Sequence, residues 1–110
     1  MAQVGGYLLP DEHSRFKTYA NDLGLSESAL AKLLLVRELR GKRLNALIGH
    51  YPPGTQSDGR KRVTAHRPDA ALKTAFLARS KEEGLKPGQA ASILYRAELV
   101  ERWLDKAMTS

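Results

Sequence analysis

The sequence predicts a mainly α fold carrying a two-stranded antiparallel β-ribbon, and three observations predict it. Two short segments of strand-like alternation each end in Pro-Asp, at Pro10-Asp11 and Pro68-Asp69. Each is followed by an amphipathic helical pattern closed by Gly-Leu, at Gly24-Leu25 and Gly84-Leu85, and then by a second helical pattern. Laid over one another at an offset of sixty residues, the halves match at Phe16/Phe76, Gly24/Gly84, Leu25/Leu85, Ala31/Ala91, Leu34/Leu94, Glu38/Glu98 and Leu39/Leu99. Such a repeat means that each unit, reading strand, helix, helix, leaves faces that its neighbour must bury. Pairing the strands and packing the helices beneath them buries both. The expected architecture is a pseudo-dimer in one chain: a first unit at 1–48, a linker at 49–60 and a second unit at 61–110, around one shared core.

The first segment, Val4 to Asp11, supplies one strand. Counting back from each proline pairs Gly6 and Leu8 with Thr64 and His66, which predicts Tyr7 and Leu9 facing the core and Val4, Gly6 and Leu8 facing outward. The alternative is an N-terminal tail that only covers the core. From Asp11, the apolar residues Phe16, Tyr19, Ala20 and Leu23 fall at i, i+3, i+4 and i+7, one face of a helix. Gly24 suits the left-handed position past its end. Ser26 is a good N-cap for the next helix, whose face of Leu30, Leu33, Leu34 and Leu39 continues toward Leu47 or Ile48. Arg40, Lys42 and Arg43 near its end read as a solvated face with favourable helix-dipole charge rather than a phosphate site.

Gly49 to Gly59 carries adjacent prolines and turn-forming residues, a linker whose residues to Arg60 span up to roughly 40 Å and so can return the second strand beside the first. In that strand Val63 and Ala65 alternate with Arg62, Thr64 and His66, so apolar groups line one face and hydrogen-bonding groups the other. An arginine-bearing polar face suits base edges in a major groove, which admits a two-stranded ribbon. The next helix, Asp69 to Glu83, is expected to bury Leu72, Ala75 and Phe76. Pro87 takes the favoured first position of the last helix, whose apolar face runs through Ile93, Ala97, Val100, Leu104 and Ala107. Tyr95 and Trp103 read as packing residues. The strands match at an offset of fifty-eight, so two extra residues in the second unit are assigned to its first helical turn.

Lys and Arg outnumber Asp and Glu by 18 to 12, and the pI of about 9.8 favours a polyanionic partner. The absence of cysteine rules out disulfides and thiolate metal sites and suits a reducing cytoplasm. No apolar run approaches the length of a membrane span, and Met1 to Pro10 lacks a leader pattern, so a cytoplasmic protein with no membrane contact is expected. His13, His50 and His66 fall at no metal or triad spacing, and Asp22, Glu27, Glu82 and Glu83 read as solvated helix residues. No enzymatic role, metal or cofactor is expected.

The order of a short strand ending in Pro-Asp, a helix closed by Gly-Leu and a second capped helix resembles the ribbon-helix-helix proteins, over nearly the whole chain and twice. A tandem pair in one polypeptide is similar to conjugation accessory proteins of the TraY kind. The resemblance implies sequence-specific binding of double-stranded DNA. It implies base reading by Arg62, Thr64 and His66 in the second unit and Val4, Gly6 and Leu8 in the first. Phosphate contacts would come from the helix starts at Ser26, Glu27 and Ser28 and at Lys86, Pro87 and Gly88, joined by the basic residues Arg60 and Lys61. It implies a role in plasmid or mobile-element transfer, with a relaxase or other DNA-processing protein as partner and several chains on adjacent sites. The alternatives are a transcriptional repressor or an antitoxin of the same type. A helix-turn-helix reading of Tyr19 to Leu34 is the structural rival, and it leaves the Pro-Asp strands and the basic segment without a role.

Overall fold

The computed structural model describes residues 3–51, 61–66 and 70–109. Two strands, β1 (Gln3–Leu8) and β2 (Lys61–His66), pair antiparallel with Gln3 opposite His66 and Leu8 opposite Lys61. The helices are α1 (Pro10–Asp22), α2 (Glu27–Gly41), α3 (Leu44–Leu47), α4 (Ala70–Glu82), α5 (Pro87–Glu101) and α6 (Trp103–Thr109). A mainly helical fold with a two-stranded antiparallel sheet is therefore what the chain forms.

Each strand lies on the long helix of the other half, β1 on α5 and β2 on α2. This crossing makes the core common property. Phe16, Leu30 and Leu35 from the first half and Phe76, Ile93 and Tyr95 from the second join one buried cluster without exposed surface. The rings of Phe16 and Tyr95 meet with centroids 5.1 Å apart. Burial of each such side chain is worth about 1.5–3 kcal/mol, so neither half could keep its share of the core alone.

The helix ends follow local chemistry. Gly24 and Gly84 adopt φ of +76° and +71°, and in each turn the glycine and the following leucine return their N–H groups to the helix. Leu25 donates to the Ala20 carbonyl at 2.9 Å and Leu85 to that of Ser80 at 3.0 Å, the double closure expected of a glycine stop. The Ser26 hydroxyl accepts from Ala29 N–H at 3.1 Å, as an N-cap should. Glu12 accepts the N–H of Leu9 at 2.9 Å, and Gln89 accepts that of Lys86 at 3.1 Å.

Several expectations are corrected. The second helix does not run on to Leu47, and the last does not run unbroken to Ala107. Each stops at a left-handed residue, Lys42 (φ 50°) or Arg102 (φ 51°). The cause is a buried carboxylate one turn earlier. Glu38 accepts the N–H groups of Arg43 at 3.0 Å and Leu44 at 2.9 Å, and Glu98 accepts that of Leu104 at 2.8 Å. These bonds turn the chain into α3 and α6 and leave Val100 67% exposed. In α4 the inward residues are Leu72, Phe76, Arg79 and Ser80, while Ala75 is exposed. α1 and α4 have bounds sixty residues apart, and the two extra residues assigned to the first helical turn of the second unit fall at 67–69, outside the described residues.

A further correction concerns β1. Val4 and Leu8 are buried, 3% and 0% exposed, and Gly6 is buried with them, while Leu9 is exposed and Tyr7 only partly covered. A slip of one residue exchanges the two faces of a strand. Counting from the prolines assumed that both strands turn inward at matching positions, but Gly6 lies opposite the buried Val63 and so shares its face. Burial of the two large aliphatic side chains decides the register, so Val4, Gly6 and Leu8 are core residues and not readers.

Candidate nucleic-acid interface

The pairing register sorts the ribbon into two faces. Cross-strand partners share a face, so Val4, Gly6 and Leu8 lie with positions 65, 63 and 61, and Gln3, Gly5 and Tyr7 lie with positions 66, 64 and 62. Val63 is 2% exposed and Thr64 partly exposed, which orients the second strand as its alternation predicts. The opposite face thus pairs Tyr7 with Arg62, Gly5, itself buried, with Thr64, and Gln3 with His66.

The helix beneath fixes that face from behind. The Ser92 hydroxyl lies 3.0 Å from the carbonyl oxygens of both Tyr7 and Gly88, and the Tyr95 hydroxyl donates to the Val63 carbonyl at 3.3 Å. β1 approaches α5 so closely that a Cβ on Gly6 would stand 2.6 Å from Ser92 N. Glycine is needed at position 6 for this contact, which explains a residue that an outward position leaves without purpose.

The start of α5 adjoins the ribbon. A Cβ on Gly88 would lie 3.0 Å from the Gly5 carbonyl oxygen, which places the α5 start against the ribbon's centre. Lys86 is exposed at its N-cap, Pro87 and Gly88 are half-buried, and the first turn carries no acidic residue. The start of α2 differs. Ser26 is engaged in capping, and Glu27 places a carboxylate there, 2.9 Å from His13 Nε2. Ser28 is half-buried. A phosphate beside Glu27 would meet like charge, so the α5 start suits an anion better. Lys61 stands in β2 opposite Leu8, and Arg60 lies outside the described residues.

Sequence reasoning set positions 62, 64 and 66 on the face away from the core but did not set Gln3 and Tyr7 of β1 opposite them. The available signal was the i, i+4 pair of large aliphatics, Val4 and Leu8, flanking a glycine pair. Elsewhere, Tyr51 packs against the core, as an anchor for the linker would, while 52–60 lies outside the described residues. Trp103 is a packing residue, with the Arg37 guanidinium 4.1 Å from its ring centre. Glu82 and Glu83 are partners of Arg79. The face of α2 carrying Leu30, Ala31, Leu34, Leu35 and Glu38 is buried in the core, which limits what a recognition helix there could present.

Among the described residues no helix is long and apolar enough to cross a membrane, and no His, Cys, Asp and Glu group is arranged to hold a metal. Comparison with protein-family models, curated proteins and solved structures returned no significant match, so residues and geometry carry the functional argument.

Proposed function

We propose that this chain is a tandem ribbon-helix-helix protein, folded as a pseudo-dimer, that binds duplex DNA in sequence-specific fashion by laying the outer face of its ribbon in the major groove. The observation that carries the reading is the two-faced ribbon. One face is consumed by the core through Val4, Gly6, Leu8 and Val63, and the other sets Gln3, Tyr7, Arg62, Thr64 and His66 along one edge of the fold. Amide, phenol, guanidinium, hydroxyl and imidazole groups are donors and acceptors of the kind that base edges select. The formal charge of +6 supports a polyanionic partner. In this reading the start of α5, with Lys86, grips phosphate and sets the ribbon's register on the duplex.

The strands differ at every outer position, so one chain reads a short asymmetric site, and longer operators are built from adjacent chains. Binding at a plasmid transfer origin, together with a relaxase or another DNA-processing protein, is the role we favour; repression and antitoxin action use the same surface. Selection of bound duplexes from a random pool tests the reading. It should return an asymmetric motif, and Arg62→Ala should weaken binding to that motif by about 1–3 kcal/mol while changing non-specific binding less. Failure to enrich any sequence, or full affinity in the variant, would remove the ribbon from a DNA interface.

A further inference from the structure

We propose that the groove between α2 and the start of α6 is a docking site for an acidic segment of a partner protein. The segment seats an aliphatic or aromatic anchor among Leu33, Val36 and Trp103 and sets carboxylates against Arg37 and Arg40. The inference stands on the fold alone and needs nothing of what the ribbon binds. The groove, of about 420 Å³, is lined by Leu33, Val36, Arg37, Arg40, Gly41 and Trp103. Leu33 is 40% exposed, and Val36 and Trp103 are partly so.

The repeat gives this face a counterpart, and the counterpart is covered. α2 and α5 have bounds sixty residues apart, so Leu33 and Val36 correspond to Ile93 and Arg96, which are 0% and 5% exposed. The short helices that follow differ in the same sense. α3 packs on α5 and buries Leu44 and Leu47, whereas the related positions of α6 hold Leu104, half-buried, and Ala107, exposed. The chain covers α5 with its own side chains and leaves apolar side chains of α2 in solvent, as a recognition surface does.

Charge decides the occupant. None of the six lining residues is acidic. Arg40 is exposed and is paired with no carboxylate among the described residues. Arg37 Nη1 lies 3.7 Å from Glu98 Oε1, too far for a hydrogen bond. Burial and the charge of Arg43 hold the Arg37 guanidinium below its usual range, against the pull of Glu98, Glu101 and Glu38. A carboxylate entering the groove would compensate both cations. The guanidinium carbon of Arg37 also stands 4.1 Å from the centre of the Trp103 ring, so it takes a ring face on which a nucleobase would stack. Aliphatic side chains and arginines together suit a peptide with an apolar anchor and acidic flanks. Trp103 follows the far end of α5, about 22 Å of helix from the start that adjoins the ribbon, so an occupant of the groove leaves the ribbon clear.

Peptide selection on the full-length protein, without DNA, tests the site. A displayed library of random peptides is panned on wild type after depletion on Leu33→Asp, whose melting temperature should match wild type because that side chain is already exposed. Enriched peptides should carry net negative charge and an aliphatic or aromatic residue. The best of them should bind Arg40→Glu at least about tenfold more weakly than wild type, and its counterpart with Lys for each carboxylate should prefer Arg40→Glu. No enrichment, enrichment of neutral or basic peptides, or equal binding to Arg40→Glu overturns the proposal. If Leu33→Asp fails to fold, panning proceeds without depletion and the exposed Arg40→Glu carries the comparison. Two other results also overturn it. Concentration-dependent self-association in sedimentation that Arg40→Glu abolishes would give the groove to a second copy of the chain, and displacement of the peptide by single-stranded DNA would give it to nucleic acid.

Discussion

Arg79 donates from Nε to Glu38 Oε2 at 3.0 Å, across the two halves, with side chains 7% and 1% exposed. Burial works against the charge on Arg79, but hydrogen bonds to Glu38, Glu83 and Glu82 outweigh it and hold the guanidinium above its usual range. The carboxylate it meets also receives the first N–H groups of the turn into α3. At the related place in the other half stands Tyr19, whose hydroxyl donates to Glu98 Oε2 at 2.5 Å. The repeat keeps the acceptor and changes the donor.

Removal of the donor should cost unequally. Arg79→Ala leaves a buried carboxylate without its counter-ion and should destabilise the protein by about 3–5 kcal/mol. Tyr19→Phe removes one hydrogen bond to a charged group, about 1.5–3 kcal/mol. Urea unfolding of the two variants gives the order directly, and a larger loss for Tyr19→Phe would mean that the Arg79 pair does not hold the halves together.

Tyr19 also marks an alkaline limit. Burial, reinforced by the hydrogen bond to Glu98, pushes its phenol from 10.0 up to about 12. The folded state therefore keeps a proton that the unfolded chain releases. The corresponding stability is complete below pH 10 and is lost as pH rises toward about 12. Stability measured across that interval should fall more steeply in wild type than in Tyr19→Phe, and parallel curves would show that the phenol is not held in its neutral form.

Adjacent residues in β1 should behave oppositely. Leu8→Ala empties a fully buried site and should cost about 2–5 kcal/mol of stability, while leaving the preferred DNA sequence unchanged below its melting point. Tyr7→Ala should cost little stability and change affinity or preference for the selected site. A shifted sequence preference in Leu8→Ala, measured by binding to the selected duplex and its single-base variants, would contradict the register.

The two helix starts should also separate. Lys86→Ala should weaken binding to all duplexes alike and make the salt slope shallower by about one. Ser26→Ala removes the cap on Ala29 N–H and should show chiefly as a stability loss of about 1 kcal/mol. Titrations at several salt concentrations decide between them, and a loss confined to one sequence in Lys86→Ala would make that residue a base reader.

By itself the sequence determined the elements and the repeat. Helical periodicity places Phe16, Tyr19 and Ala20 on one face, and Gly24, Ser26, Gly84 and Pro87 mark ends that the backbone adopts for local steric and hydrogen-bonding reasons. The alternation around Val63 also shows which face of the second strand turns inward, because its apolar and polar residues separate cleanly. β1 offers no such separation. Val4, Gly5, Gly6, Tyr7 and Leu8 are apolar or lack a side chain, and only contact with α5 decides that Val4, Gly6 and Leu8 turn in. The breaks at Lys42 and Arg102 were equally hidden, for neither is a residue that usually takes positive φ. They exist because Glu38 and Glu98, bound by donors from the opposite half, take the backbone N–H groups that follow. Local propensity fixes where elements start and stop when the forces are local; register and these turns belong to the tertiary structure, because the groups that impose them lie sixty or more residues away or across the interface between the halves.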